Sequence, residues 1–238
     1  MKKIFYLLFF IPIFNFSQNF EVVYNFSITD NKDAYGVFGF SKLKLITNSV
    51  ESNCYGKNID TLLVIPNTDI THEQTATNYS LSNYKNITES TYYTRTLFKE
   101  NYLKDAEYAI NWKINDNKKV ILDYECQEAT GSYRGRDYKV YFTSQIPIQN
   151  GPDRFDNLPG LVLEVVSLDG YVRYSAISVA KSSEKIYNPY LEKKFITWEE
   201  FKIMYEKYFY KMINYKPDEY TTYVVPNRGV ELYLLKEK

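Results

Sequence analysis

Alternating apolar and polar residues recur along most of the chain and predict a fold built from β-strands. The clearest case spans residues 20–28, where an apolar side chain stands at every second position. Similar strand-like patterns occur in residues 38–46, 92–98, 120–126, 138–143, 161–167 and 171–179. A period of two places one face of a strand against a core and the other towards solvent. The chain is therefore expected to be mainly β.

Short polar segments predict the turns between these strands. Asp169-Gly170 is the strongest hairpin signal and should join the two strands that flank it. Residues 54–58 and 115–117 also predict turns. Residues 67–86, which are rich in Thr, Asn and Ser, are expected to be a mobile loop or an insertion.

One helix is predicted near the end of the chain. Thr197 and Glu200 have the spacing of a capping box, in which each side chain accepts a hydrogen bond from the backbone of the other residue. Apolar side chains then recur at helical spacing, at Phe201, Met204, Tyr205, Tyr208 and Met212. The helix should end before Pro217 and pack on the sheet. Aromatic side chains on both of its sides leave a lipid-facing or partner-facing helix as the alternative.

The start of the chain predicts a removable leader followed by one domain. Lys2 and Lys3 precede an apolar run at residues 4–14, and small or polar residues follow it. This pattern is typical of a secretory signal peptide over residues 1–18, with an apolar part too short to span a bilayer. Residues 19–238 should form a single β-rich domain: a curved antiparallel sheet, half-barrel or sandwich with the late helix packed on it. The protein should be exported, in the periplasm or associated with the outer membrane.

Composition narrows the classes of function. The formal net charge is zero, with 29 basic and 29 acidic residues, so electrostatics give no support for nucleic-acid binding. Aromatic residues make up 18% of the chain, which favours β structure and argues against disorder. Cys54 and Cys126 are a possible disulfide, with buried free thiols as the alternative. Two Cys and a single His cannot form a Cys/His zinc cage, and no metal or cofactor is predicted.

Residues 146–160, called here the Pro/Gly segment, are crowded with Pro, Gly, Asn and Asp between two strand-like runs. The distinctive residues of the segment and the start of the next strand are Ile146, Pro147, Gly151, Pro152, Phe155, Asn157, Leu158, Pro159, Gly160, Leu161 and Val162. Together with Trp112, Cys126 and Gly135-Arg136 upstream, they resemble the GLPGLI family of exported Bacteroidota proteins. The resemblance is close over residues 110–180. It implies an exported β-rich protein, and the family has no settled activity. The general character of the chain is also similar to that of outer-membrane lipoprotein carriers, which are curved antiparallel sheets half-closed around helices.

The hexapeptide that names the family reads Asn157-Leu158-Pro159-Gly160-Leu161-Val162 in this chain. Val162 replaces Ile, which removes one methylene from an apolar strand and should matter little. Asn157 replaces the first Gly. Because Asn tolerates positive φ better than most residues, this exchange predicts a left-handed backbone conformation at Asn157.

Five charged residues near the Pro/Gly segment are the candidate binding residues. Asp153, Arg154 and Asp156 lie within the segment, and Arg134 and Arg136 precede the strand before it. The arginines could hold a carboxylate or a phosphate. Alternatively, they pair with Asp137, Asp153 or Asp156, and the segment only shapes a crossover between strands, made rigid by its prolines.

No set of residues in the sequence predicts catalysis. His72 and Glu73 are the only His-based acid–base pair, and no nucleophile elbow lies near them. Asp123, Glu125 and Glu164 occupy polar strand positions and are expected to be solvated. We therefore expect a non-catalytic envelope protein that binds an apolar ligand or an outer-membrane partner such as a transporter. The alternative is an exported hydrolase whose carboxylates converge only in the fold.

Overall fold

The computed structural model describes residues 18–28, 36–64, 71–74, 78–96, 98, 101–214 and 230–231. Within these residues the chain forms thirteen strands and one helix. The strands are β1 (Asn19–Ile28), β2 (Gly36–Thr47), β3 (Glu51–Val64), β4 (Thr71–Gln74), β5 (Ser80–Asn86), β6 (Thr91–Arg95), β7 (Tyr102–Asp105), β8 (Lys113–Ile121), β9 (Tyr124–Tyr133), β10 (Arg136–Thr143), β11 (Leu161–Ser167), β12 (Val172–Ser182) and β13 (Phe195–Ile196). The helix is α1 (Trp198–Ile213).

All the described strands belong to a single open sheet that does not close into a barrel. The strand order is β13-β7-β6-β5-β3-β2-β1-β12-β11-β10-β9-β8, with β4 paired to β3 beside this path. Neighbouring strands are antiparallel except β13 and β7, which are parallel. The expected mainly-β fold with one late helix is therefore confirmed.

The largest core cluster lies on one face of the sheet. In β10, Tyr138, Val140 and Phe142 are buried, while Lys139 and Tyr141 alternate with them and are partly exposed. The Pro/Gly segment packs on the buried face through Phe155 and other apolar side chains. We call this the inner face, and the face that carries Tyr141 the outer face.

Two of the predicted turns are wrong because strands continue through them. Residues 54–58 lie inside β3, and residues 115–117 lie inside β8, where the pairing with β9 is irregular. β8 and β9 form a hairpin, and the turn that joins them is Leu122-Asp123, with φ of 50° and 66°. Positive φ at both central residues is the geometry of a type I′ turn, which suits the twist of a hairpin.

The polar stretch at residues 67–86 contains β4 and β5, so the prediction of one loop or insertion there is wrong in part. The hairpin at Asp169-Gly170 is confirmed: it joins β11 to β12, and Gly170 has φ 74°. Residues 220–225 and 230–234 also have the sequence character of short extended segments, and they lie outside the described part, apart from Val230 and Glu231. Residues 1–17 of the predicted signal peptide also lie outside it.

Helix α1 begins with the predicted capping box. The backbone N–H of Thr197 donates to Oε2 of Glu200 at 2.8 Å, and the N–H of Glu200 donates to Oγ1 of Thr197 at 3.2 Å. Trp198, Phe201 and Tyr205 are buried, and they cluster with Leu103 of β7. The helix therefore packs on the sheet, as expected. No helix in the described part is both long and apolar enough to cross a membrane.

Cys54 and Cys126 are both buried free thiols, so the structure does not contain the possible disulfide. Cys54 lies in β3 and Cys126 in β9, six strand steps apart in the sheet order. At about 4.8 Å per step, this is roughly 29 Å along the sheet. A disulfide requires Cα atoms within about 7 Å.

Candidate functional site

The Pro/Gly segment is joined by backbone hydrogen bonds to the start of β11, the strand that follows it in the chain. The N–H of Leu161 donates to the carbonyl of Ile146 at 3.1 Å, and the N–H of Val162 donates to Asn150 at 2.9 Å. Apolar side chains then anchor the segment on the inner face. The Phe155 ring is fully buried, with its centroid 4.7 Å from that of Tyr138. The segment is therefore an ordered layer over the sheet.

The hexapeptide supplies the backbone shapes that this layer needs. Asn157 has φ 63°, which confirms the predicted left-handed conformation. Gly160 has φ 156°, and a Cβ there would overlap the carbonyl oxygen of Thr143. A Cβ on Gly151 would overlap the carbonyl oxygen of Phe155. These positions require small or permissive residues because backbone approaches backbone.

Asp153 and Arg154 form the centre of a buried polar network. The Asp153 carboxylate accepts hydrogen bonds from the hydroxyls of Tyr92 at 2.7 Å and Tyr174 at 3.2 Å, and from Nη1 of Arg154 at 2.9 Å. The guanidinium of Arg154 lies 4.2 Å from the Tyr92 ring centroid, and Nη2 lies 3.5 Å from Oε1 of Glu231. Burial acts to lower the pKa of Arg154, but the charge of Glu231, together with other neighbours that include Asp153, outweighs burial and raises this pKa well above its ordinary value.

Arg134 extends this network on the far side of Glu231. Its guanidinium lies 2.8 Å from Asp105 and 3.4 Å from Glu231, and it stacks 3.4 Å from the Trp198 ring centroid. Charges alternate along the chain of contacts Asp105–Arg134–Glu231–Arg154–Asp153. Arg134 therefore pairs with Asp105 and Glu231. The alternative in which it pairs with Asp137, Asp153 or Asp156 is wrong.

Arg136 lies apart from this network. Its guanidinium, which is almost fully buried, pairs with the Asp169 carboxylate and stacks 4.8 Å from the Tyr171 ring centroid. Arg136 therefore links the start of β10 to the hairpin turn between β11 and β12. Its predicted pairing with acids of the Pro/Gly segment is also wrong.

Asp156 belongs to a second buried cluster, next to the first. Its Oδ2 lies 3.3 Å from Nζ of Lys85 and accepts a hydrogen bond from the Tyr108 hydroxyl at 2.9 Å. Its backbone carbonyl accepts one from Nε1 of Trp112 at 2.7 Å. Burial raises the pKa of Asp156, and the charge of Lys85 opposes this rise.

Sequence reasoning missed Lys85 and Glu231, and Glu164 proved to be buried although it was expected to be solvated. Lys85 is fully buried and Glu231 is 1% exposed. Glu164, 7% exposed, pairs with Lys119 and Arg173 on the outer face. Asp123 and Glu125 are exposed, as expected. No local sequence pattern distinguishes Lys85, Glu164 and Glu231 from exposed charged residues, because charged residues at strand positions are usually solvated.

A cavity of about 280 Å³ opens beside the first network. Asp153, Arg154 and Glu231 line it together with Arg95 and Phe201. Further wall residues are Ser82, Tyr92, Thr94, Thr96 and Leu103. Of the five predicted binding residues, Asp153 and Arg154 therefore line this cavity. Arg134, Arg136 and Asp156 do not line it and make contacts within the protein.

The side chains of His72 and Glu73 lie outside the described part. Among the residues that are described, no group of three or more His, Cys, Asp or Glu side chains is placed to hold a metal ion.

Residues 136–164 match the model of a family described as "Protein of unknown function (Porph_ging)". The matched region holds β10, the Pro/Gly segment and the start of β11, so it coincides with the layer described above. No curated protein matches the chain in sequence.

Solved structures of PNGF-II are similar in fold. The structure in space group P21 has a TM-score of 0.52 at 17% identity, and the similarity covers 79% of this chain and 33% of that chain. The structure in space group C2 has a TM-score of 0.49 at 18% identity, with 79% and 32% covered. This chain therefore spans about a third of the length of PNGF-II. At this identity the likeness concerns the fold alone.

Proposed function

We propose that this chain is a non-catalytic binding protein of the bacterial envelope and a member of the GLPGLI family. In this proposal, residues 1–18 direct export and are then removed. The match at residues 136–164 supports the family, because it covers the segment on which the resemblance rests. The resemblance in turn supports location in the periplasm or at the outer membrane.

The observation that carries a binding role is the cavity beside Asp153 and Arg154. Its wall combines charged groups and hydroxyls with the aromatic side chains of Tyr92 and Phe201. A concave site where polar groups converge beside aromatic side chains is typical of binding sites. Because most of the wall residues are polar, we favour a polar segment of an outer-membrane protein over an apolar ligand.

The pairing of the acids supports a non-catalytic role. Asp153 and Glu231 are each ion-paired with Arg154 at 3.5 Å or less, so neither carboxylate lacks a basic partner. A hydrolase that uses two carboxylates requires one of them to donate a proton.

A photo-crosslinking residue at Arg95, an exposed position that lines the cavity, tests the partner. The matched control places the same residue at Ile177, an exposed position of β12 that does not line this cavity. After irradiation of living cells, we expect position 95 to capture one outer-membrane protein, identified by mass spectrometry, and position 177 not to capture it. Equal capture at both positions, or capture at neither, would contradict the proposal.

An exported hydrolase is the second candidate, because Asp153 and Glu231 do line one cavity. Its test is a screen of the purified mature protein against glycoside and ester substrates. Turnover that Asp153→Asn abolishes in a folded variant would favour the hydrolase. If Asp153→Asn and Glu231→Gln together leave every detected activity unchanged, this candidate should be dropped.

A further inference from the structure

Lys85 and Asp156 form an ion pair that is almost completely removed from water. Their side chains are 0% and 6% exposed, and Nζ lies 3.3 Å from Oδ2. Nζ also donates a hydrogen bond to the carbonyl of Gly151 at 3.1 Å. The lysine comes from β5 and both of its partners from the Pro/Gly segment, so elements far apart in sequence hold the two reactive groups together.

Other lysine–carboxylate pairs of the described part differ in their contact with water. In Lys44–Glu184, at 2.8 Å, the side chains are 22% and 37% exposed. Water stabilises both ions of such a pair, and the ammonium and carboxylate do not react. At the buried pair, loss of water raises the pKa of the Asp156 carboxyl, which favours its neutral form, with the charge of Lys85 opposing the rise.

We propose that Lys85 and Asp156 condense into an intramolecular isopeptide bond. One proton moves from Nζ to Oδ2, which leaves a nucleophilic amine facing a carboxylic acid. The bond from Nζ to Cγ forms, the bond from Cγ to Oδ2 breaks, and a second proton from Nζ leaves with Oδ2 as water. The reaction is a balanced dehydration that requires no oxidant, cofactor or activated ester.

Tyr108 is the positioning residue for this step. Its hydroxyl donates to Oδ2 at 2.9 Å, the oxygen that departs. A hydrogen bond at this oxygen orients the carboxyl group and assists its departure as water, because the group that leaves must be protonated. The fixed placement of both groups makes the reaction effectively unimolecular, the arrangement that gives intramolecular reactions their high effective concentration.

The structure also provides a place for the water that is released. A cavity of about 60 Å³ is lined by Tyr108, Asp156 and Asn157, among other residues. A cavity of that size holds a water molecule when polar groups line it. The product water therefore has a polar site beside Cγ.

The test is the mass of the intact, folded protein. We expect the mature chain to be lighter than its sequence by the mass of one water molecule. Trypsin should fail to cut after Lys85 and should release a branched peptide that joins the regions of Lys85 and Asp156. Cleavage after Lys44 is the internal control and should be normal. An intact mass equal to that of the sequence, with normal cleavage after Lys85, would overturn the proposal.

Variants assign the loss of mass to this pair. Lys85→Met and Asp156→Ala should retain their full sequence mass, and Asp156→Asn should lose one ammonia instead of one water, because the amide nitrogen then departs. Tyr108→Phe should slow condensation after the chain first folds, without changing the final product. Wild-type protein that is produced unfolded and kept in denaturant, so that it never folds, should show no loss. If Asp156→Ala still loses the mass of a water, the loss arises elsewhere and the proposal is wrong; the wild-type measurement decides the question even if a variant fails to fold.

Discussion

The two faces of the sheet carry ion networks of similar chemistry but different solvation. On the inner face, Arg154 and Glu231 have side chains 9% and 2% exposed. On the outer face, Glu164 is 9% exposed, but its partners Lys119 and Arg173 are 36% and 57% exposed. Lys119 and Arg173 pair with the buried Glu164 and remain in contact with water. The side chains of the inner network are all at most 13% exposed, so its charges depend mainly on partners inside the protein.

Tyrosine hydroxyls supply hydrogen bonds to the buried acids of the inner face. The hydroxyls of Tyr92 and Tyr174 donate to Asp153, and that of Tyr108 donates to Asp156. A tyrosine packs as an aromatic core residue and still places a donor at its tip. The inner face can therefore bury carboxylates beside a hydrophobic core, and the excess of tyrosine supports this network as well as the strands.

The largest expected effect comes from removing one buried base. Arg154→Met leaves Asp153 and Glu231 out of water without their shared cation, and the free energy of unfolding should fall by about 3–5 kcal/mol. Arg173→Met on the outer face should cost less than about 1 kcal/mol, because Arg173 is exposed and Lys119 still pairs with Glu164. Urea denaturation of both variants measures this. Similar losses would remove the distinction between the two faces.

The next effect concerns the backbone of the Pro/Gly segment. Gly160→Ala should cost about 3 kcal/mol or more, since the new Cβ would overlap the Thr143 backbone at positive φ. Gly170→Ala is the control in the hairpin turn, where no atom lies within 4 Å of the added Cβ. It should cost only about 1 kcal/mol for the left-handed conformation. A smaller loss for Gly160→Ala, read from thermal unfolding, would show that the layer moves freely.

Asn157 provides a finer test of the same segment. Asn157→Ala should cost about 1 kcal/mol, because alanine tolerates φ 63° poorly. Asn157→Gly should stay within about 0.5 kcal/mol of the wild type. Paired denaturation curves decide this, and equal effects of the two substitutions would argue that the amide side chain, rather than the backbone, matters there.

The smallest effect is the pH dependence of the outer face. The hydroxyl of Tyr141 holds the pKa of Glu128 below its ordinary value, with burial acting against this and the amides of Asn117 and Asn115 adding to it. The carboxylate therefore contributes stability above the unfolded pKa, and that contribution is lost as pH falls through the lower folded pKa. Glu128→Gln should flatten the stability profile at acidic pH in urea titrations. An unchanged profile would assign the acid sensitivity to other carboxylates.

Local patterns predicted most of the secondary structure, and their failures have one physical cause. The capping box at Thr197 and the left-handed Asn157 follow from preferences that act within a few residues. The turns predicted at 54–58 and 115–117 failed because pairing with neighbouring strands outweighs weak local turn preferences. In β8, the amides of Asn115 and Asn117 donate to Glu128 across the pair, so residues that favour turns are held within a strand.

Local sequence patterns suffice to predict most of the strands, the late helix and the left-handed backbone at Asn157. These features depend on the period of apolar side chains and on intrinsic φ preferences, which are local. Which charges are buried, and how they are paired, follows only from the packing of distant segments. Lys85, Glu231 and Glu164 occupy positions that are unremarkable along the chain, and neighbours from distant segments remove them from water. The solvation of a charge depends on everything packed around it, and no short stretch of sequence contains that information.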